Sequence, residues 1–352
     1  MNRDVSALAS TDAAWLDGDG PDADVVVATR ARLARNLAGL PFPHRAGAAE
    51  LGTIAADLDR QVRRLPAFAA GWAVGIEACE SRQRQLLREK MLAGPALLAV
   101  PEHRVLLASA DLGTAALVNG EDHLHLCAWR AGLAPAAAVA AVMAVDDPLG
   151  AAYAPAFSEE HGYLTASPGN VGTGLRLTAL LHLPGLVMAD EIDKVINALR
   201  QLEFGVRGLV GEGRTVRGAL FRVGNLTTLG RDETEIADDF ASHVGKVIVY
   251  ERAARELLLG RDRRGLEDIA WRGLSVLRSA RLITAQEAWD CLSSARLGAG
   301  CGLFPSPGWG AFNRLLVRHQ SAHLELAAGH PLDGRGRAAA RADLLRELFA
   351  AS

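Results

Sequence analysis

Through the first two thirds of the chain, apolar residues recur in short runs rather than long stripes. The runs at 25–29, 105–109, 115–118, 123–127, 163–166 and 218–223 have strand character. Residues 123–127 alternate His, Leu, His, Leu, Cys, the two-residue period of a half-buried strand. Helical spacing fills the gaps between them. Ile192, Val195, Ile196, Leu199 and Leu202 follow Asp190, a residue suited to cap a helix. Ile236, Phe240, Val244, Val247 and Ile248 follow Asp232, in a helix expected to stop before Gly260. The mixture predicts an α+β fold, with an antiparallel or mixed sheet covered by helices.

Past residue 255 the strand pattern fades. Helices are predicted over 262–280, 284–296, 309–327 and 336–350, with Thr284 and Glu287 spaced as a capping box. The pattern divides the chain into a flexible lead-in at 1–24, a mixed domain at 25–257 and a helical domain at 258–352.

Charge narrows the choice of partners. The 352 residues carry 38 Lys and Arg against 41 Asp and Glu, a net charge of −3. No global basic field calls for nucleic acid or an acidic membrane. Lysine occurs only at Lys90, Lys194 and Lys246, so arginine supplies nearly all the positive charge. Cys79, Cys127, Cys291 and Cys301 are scattered without metal-ligand spacing, as expected of reduced thiols. The N-terminus lacks a signal-peptide core, and the apolar run 133–145 contains Pro135 and is too short to span a bilayer. A soluble cytoplasmic protein without a metal centre is the expectation.

Position, rather than count, makes the arginines informative. Arg30 and Arg32 leave the apolar run Val-Val-Val-Ala-Thr-Arg-Ala-Arg and, two apart on a strand, point to one face. Arg176 closes Asn-Val-Gly-Thr-Gly-Leu-Arg, and Arg207 opens Arg-Gly-Leu-Val-Gly-Glu-Gly. A guanidinium is a permanently charged fork of donors that fits phosphate oxygens, so four of them beside glycine-rich turns suggest a polyphosphate site. Glycines at 172 and 174 would let backbone N–H groups approach a phosphate. Glu121 and Glu212 could then face a cationic acceptor. Any single pair is better explained as a solvated salt-bridge surface; the combination carries the chemistry. Residues 208–215 nearly match a P-loop, but Arg214 stands where its lysine belongs and the helix lies on the wrong side.

The motifs around Arg30, Glu121, Arg176 and Arg207 resemble those of the guanidino kinases. The stretches Leu-His-Leu-Pro-Gly-Leu-Val at 181–187, 225–230 and Glu-Arg-Ala-Ala-Arg-Glu-Leu at 251–257 look like the bacterial protein-arginine kinases in particular. The resemblance spans residues 15–352. It implies a catalytic domain with a largely antiparallel sheet flanked by helices, then an all-helical C-terminal domain. It implies ATP with Mg²⁺ as phosphoryl donor and protein arginine side chains as acceptors. Thr29, Arg30, Ala31 and Arg32 would bind nucleotide, with Met91, His125, Arg176, Leu177, Thr178, Ala179 and Leu180. Arg207, Gly208, Leu209, Val210, Gly211 and Glu212 would complete that site. Glu121, Glu212 and Ser167 would carry catalysis, with Glu121 as general base. Arg337 and Arg341 resemble a phosphoarginine-sensing pair, spaced i and i+4 on the last helix.

Five positions depart from the family pattern. Ser167 replaces a cysteine, His125 an arginine, Met91 a histidine, Gly120 an acid and Ala338 an aspartate. They keep two alternatives open: a binding adaptor with weakened turnover, or a kinase for a small free guanidino compound. An activator protein and chaperone-protease machinery are partners implied by the resemblance alone, and a homodimer is compatible with it.

Overall fold

The structure is a computed structural model that describes residues 4–210 and 216–349. Eight strands build one sheet and two more form a small hairpin. In chain order they are β1 (Val26–Arg35), β2 (Trp72–Gly75), β3 (Val105–Ala108), β4 (Thr114–Val118), β5 (Leu124–Ala131), the hairpin β6 (Phe157–Ser158) and β7 (Gly162–Tyr163), then β8 (Leu175–His182), β9 (Phe204–Gly208) and β10 (Leu220–Asn225). The large sheet runs β2-β3-β4-β5-β1-β8-β10-β9, and every pairing in it is antiparallel. The central strand β1 is ten residues long and lies between β5 and β8.

Among the described residues, seven α-helices accompany the sheet. They are α1 (Ala48–Val62), α2 (Ser81–Glu89), α3 (Pro95–Ala99), α4 (Pro135–Ala152), α5 (Pro184–Met188), α6 (Ile192–Gln201) and the long α7 (Glu233–Arg261). All but α2 and α3 pack on one face of the sheet. Alternate β1 residues Ala31 and Leu33 meet Leu58 of α1, Val142 of α4, Ile196 of α6 and Phe240 of α7 in the main core. Among the described residues, α4 alone is long and apolar enough to cross a membrane. Its Ala138, Val142, Val145 and Leu149 are spent on this core instead.

A second apolar layer covers only the flanks of the opposite face. It contains Leu86 and Leu87 of α2, Trp129 of β5 and Leu180 of β8. The N-terminal segment joins it. The stretch expected to be a mobile lead-in forms two short 3-10 helices, Val5–Ser10 and Ala14–Leu16, which bury Leu8, Trp15 and Leu16. Trp15 stacks on Trp129 with ring centroids 5.1 Å apart. Three large apolar side chains in a polar context gave this segment a reason to fold.

Beyond α7, five helices follow: α8 (Arg263–Ser279), α9 (Ala285–Gly300), α10 (Trp309–Arg318), α11 (Ser321–Ala328) and α12 (Gly334–Phe349). They enclose their own core, with Leu274, Leu277, Leu292, Phe312, Leu345 and Phe349 at its centre. The expected division at 257/258 falls inside α7, which runs through Gly260 to Arg261. Asp262 makes the break, since its carboxylate accepts from Gly265 N and starts α8.

Other details depart from the expectations. Asp232 caps α7 with a full capping box, but the cap of α6 is Glu191, and Asp190 sits in the left-handed region at φ 64°. The expected helix 309–327 is split by His319 and Gln320. The expected strand at 163–166 dissolves after Tyr163, because Leu164 N donates to Ala156 O and Ala166 N to the Asp122 carboxylate. The strands β2, β8 and β9 have no counterpart in the expectations; β9 carries Gly205 and Gly208, which weaken any strand signal.

His319 lies fully buried where α10 ends. Its Nδ1–H donates to Leu315 O, and its ring meets Trp289 edge-on at 4.6 Å. Burial lowers its pKa from 6.5 to about 4. The unfolded chain therefore takes up this proton first as pH falls, so stability present above pH 6.5 drains away toward pH 4. By pH 5 the loss should reach about 2 kcal/mol from this residue. Urea unfolding at pH 7 and pH 5 should show it, and His319→Gln should flatten that part of the pH dependence.

Candidate active site

Directly paired residues of an antiparallel sheet share a face, so the register assembles the site. Arg32 on β1 pairs with Arg176 on β8 and Cys127 on β5. Two residues along β1, Arg30 pairs with Thr178 and Trp129. In the next row Leu180 pairs with Arg222, and Arg222 with Arg207. His125 pairs with Ala34 at the other end. Arg30, Arg32, Arg176 and Arg207 thus emerge on the face that helices leave open. The same alternation separates the remaining nucleotide candidates. Ala31, Leu177 and Ala179 point into the helix-covered core. Thr29 is buried, with Oγ1 donating to Gly132 O and accepting from Ala134 N. Side chains at these four positions cannot reach a ligand on the arginine face.

The arginines are held in place by neutral groups. Asn170 Oδ1 accepts from Arg176 Nε at 3.0 Å and from Arg32 Nη2 at 3.5 Å. Arg176 Nη1 also donates to Asn225 O at 2.5 Å, and the Asn225 side chain binds Leu177 N and Leu175 O. Arg30 lies over Trp129, its guanidinium carbon 5.2 Å from the ring centroid. The Nε atoms of Arg30 and Arg32 are buried with no hydrogen-bond partner among the described residues. Burial holds the Arg30 pKa below its ordinary value, and the like charges of Arg32 and Arg222 add to the effect. Burial likewise lowers the Arg176 pKa; Arg32 reinforces that and Glu121 opposes it. Fixed cations with unmet donors are what an oxyanion would complete.

The glycine-rich turn serves packing. At Gly172, with φ 109°, an added Cβ would fall 2.3 Å from Thr228 O, and its N–H donates to Tyr163 O. Gly174, at φ 70°, is pressed against Ala34 O in the same way. These glycines let two chain segments touch and so aim Arg176, and the Gly172 N–H is already committed to Tyr163 O.

At the His125 end, Asp122 is fully buried and organises the turn that carries Glu121. Its Oδ1 accepts from Asn36 Nδ2 and Ala166 N, each at 2.7 Å, and its Oδ2 bonds His125 Nε2 at 3.0 Å. The Ala166 contact ties this turn to the segment that carries half-buried Ser167, and Glu121 remains exposed. Ligand atoms of Glu121, Asp122 and His125 lie within 4.8 Å of one another. Asp122 already has three donors, so this cluster is a hydrogen-bonded turn. Burial lowers the His125 pKa despite Asp122, leaving the imidazole neutral at pH 7. A cleft of about 480 Å³ opens beside Glu121, lined by Pro43, His44, Leu51, Val100, Glu102 and Asn119 among others.

The remaining candidates are spread more widely. Met91, at φ 58°, and Leu209 pack against the same apolar layer as Leu180 and Trp129. Gly208 closes β9, and exposed Val210 accepts from Arg217 N. Gly211 and Glu212 lie outside the described residues. Arg341, buried at 3% exposure, donates to His319 O and Ile283 O. Arg337 pairs with Glu325 at 2.9 Å. Arg341 thereby stitches α12 to the start of α9 and the end of α10, while Arg337 is held by Glu325. Arg222, in the same row as Arg207, was not among the sequence candidates, since no glycine-rich motif marks it.

Comparisons with known proteins identify the family and the fold. The family profile of the ATP:guanido phosphotransferase C-terminal catalytic domain matches residues 65–254. The chain belongs to the ATP:guanido phosphotransferase family. The profile of the protein-arginine kinase McsB C-terminal domain matches residues 263–352. A protein-arginine kinase of Moorella thermoacetica is 38% identical over 96% of this chain and 97% of its own length. One from Bacillus subtilis is 33% identical over 95% and 92%. Among solved structures, lombricine kinase superposes with TM-score 0.57 at 20% identity, over 75% of this chain and 74% of its own. The duplicated taurocyamine kinase of Schistosoma mansoni gives TM-score 0.59 at 22% identity, over 67% of this chain and 34% of its own. At that identity the likeness establishes the fold: an antiparallel sheet with flanking helices.

Asn170 offers a direct test of how the arginines are aimed. Asn170→Ala removes the acceptor shared by Arg32 and Arg176 and should raise KM for ATP roughly tenfold, the scale of a hydrogen bond to a charged group. Steady-state kinetics beside an unchanged circular dichroism spectrum would establish it.

Proposed function

We propose that this chain transfers the γ-phosphoryl group of ATP to arginine side chains of proteins. The observation that carries this reading is the arginine face itself, with two buried Nε donors unmet and Glu121 at its margin. Arg30, Arg32, Arg176 and Arg207 would bind the phosphates and neutralise the charge that spreads over the transferred group. Mg²⁺ would come with the nucleotide, as it usually does when substrate phosphates supply its ligands. The open cleft beside Glu121 suits an acceptor presented on a larger molecule.

A guanidinium is a poor nucleophile because its pKa exceeds about 12. Glu121, tied through the Asp122 turn, would accept a proton from the attacking nitrogen and fix its approach. Glu212 would orient a second nitrogen. Ser167 stands where a family cysteine would place a thiol, and a hydroxyl stays neutral there. The free thiols at Cys79, Cys127, Cys291 and Cys301 support a reducing, cytoplasmic setting.

The decisive experiment incubates the protein with Mg-ATP and an arginine-rich protein, then assays acid-labile phosphate on the acceptor. Transfer is expected, with free arginine a poorer acceptor; the reverse preference would point to a small-molecule kinase. Glu121→Gln should lower transfer by about a hundredfold or more while leaving the melting temperature in place. Ser167→Cys should raise kcat, and an unchanged rate would show a site adapted to serine.

A further inference from the structure

We propose that Arg222 is a nucleotide-binding residue, gripping the polyphosphate of ATP at the end of the arginine face farthest from Glu121. This rests on the ATP site proposed above. In register, Arg222 stands between Leu180 on β8 and Arg207 on β9, so its side chain leaves the sheet on the same face as Arg30 and Arg32. It is exposed, and no carboxylate pairs with it among the described residues. Its one described hydrogen bond is a long one, Nη2 to Gly208 O at 3.5 Å. Arg222 is close enough to lower the pKa of Arg30, and Arg207 does the same to Arg222 after partial burial has its effect. Three like charges within electrostatic reach are tolerable when an anion lies among them.

Position within the face decides which part of the ligand Arg222 meets. Successive same-face rows along a strand are roughly 7 Å apart. From the Glu121 end the rows run His125, then Arg32 with Arg176, then Arg30 with Thr178, then Arg222 with Arg207. His125 is neutral, so the positive charge of the face is displaced away from the acceptor and toward Arg222. Arg222, on β10 and two strands away from β1, holds the nucleotide without touching the phosphoryl group in flight. Its contact is equal in ground and transition states, and such binding governs KM rather than kcat.

The test measures ADP binding by calorimetry and ATP kinetics for wild type, Arg222→Gln and Arg222→Lys, with adenosine as a control ligand. Arg222→Gln should raise Kd for ADP and KM for ATP about tenfold, a larger factor than any fall in kcat. Arg222→Lys should recover part of the loss, and adenosine binding should not change. An unchanged Kd for ADP in a variant that melts like wild type would overturn the proposal. So would a fall in kcat at constant KM, which would put Arg222 at the transferred group. Failure of the wild-type protein itself to bind ADP would instead remove the underlying ATP site.

Discussion

Like charges crowd onto one face of the sheet, and the architecture has to hold them there. Two unit charges 7 Å apart repel by roughly 2 kcal/mol at an effective dielectric of about 20. Arg30, Arg32 and Arg176 stay in place because each is anchored by something other than a carboxylate: the Trp129 ring, the Asn170 amide, the Asn225 carbonyl. Neutral anchors fix the guanidinium without cancelling its charge. Arg35, the next basic residue on β1, shows the opposite arrangement. It points to the other face, forks onto Asp146 and is buried at 5% exposure, so its charge is spent on structure.

The two ends of the open face differ in charge by design of the side chains that line them. Near Glu121, burial keeps His125 neutral and Asp122 divides its oxygens among three donors. At that end the cleft beside Glu121 is lined by both acids and a base, Glu102 and Arg104 among them. Away from it, Arg30, Arg207 and Arg222 accumulate. On the proposed reading, a polyphosphate lying along this gradient would have its terminal phosphoryl group directed toward the carboxylate.

The helical domain is joined to the sheet through buried polar groups, and they explain why two of the family motifs occur together. Glu251 on α7 is fully buried and accepts from Gly185 N and Leu186 N, while Arg255 Nε donates to it at 2.6 Å. Gly185 fits closely there, since an added Cβ would lie 3.0 Å from Glu251 Oε1. His182, at the end of β8, bonds Ser293 of α9 through Nε2 at 2.8 Å. Arg296 of α9 reaches back to Ala23 O at 2.5 Å. Removing one partner of such a buried ionic pair typically costs 3–5 kcal/mol, so this junction is expected to be rigid.

The sequence by itself determined the class of fold, the position of most strands and the four arginines that the sheet gathers on one face. It could do so because a two-residue period and a guanidinium beside a turn are local signals. It also located Glu121, since the turn that carries it is continuous in the chain. What only the tertiary structure decided was register. Pairing across β1, β8, β10 and β9 aligned Arg222 with the motif arginines and turned Thr29, Ala31, Leu177 and Ala179 away from them. Pairing between segments far apart in sequence leaves no trace in either segment read alone. Long-range packing likewise decided that Gly172 packs against Thr228, that Trp15 folds the N-terminal segment onto Trp129, and that Arg341 is bound by carbonyls. Each outcome depends on which partner arrives from elsewhere in the chain, and composition does not carry that information.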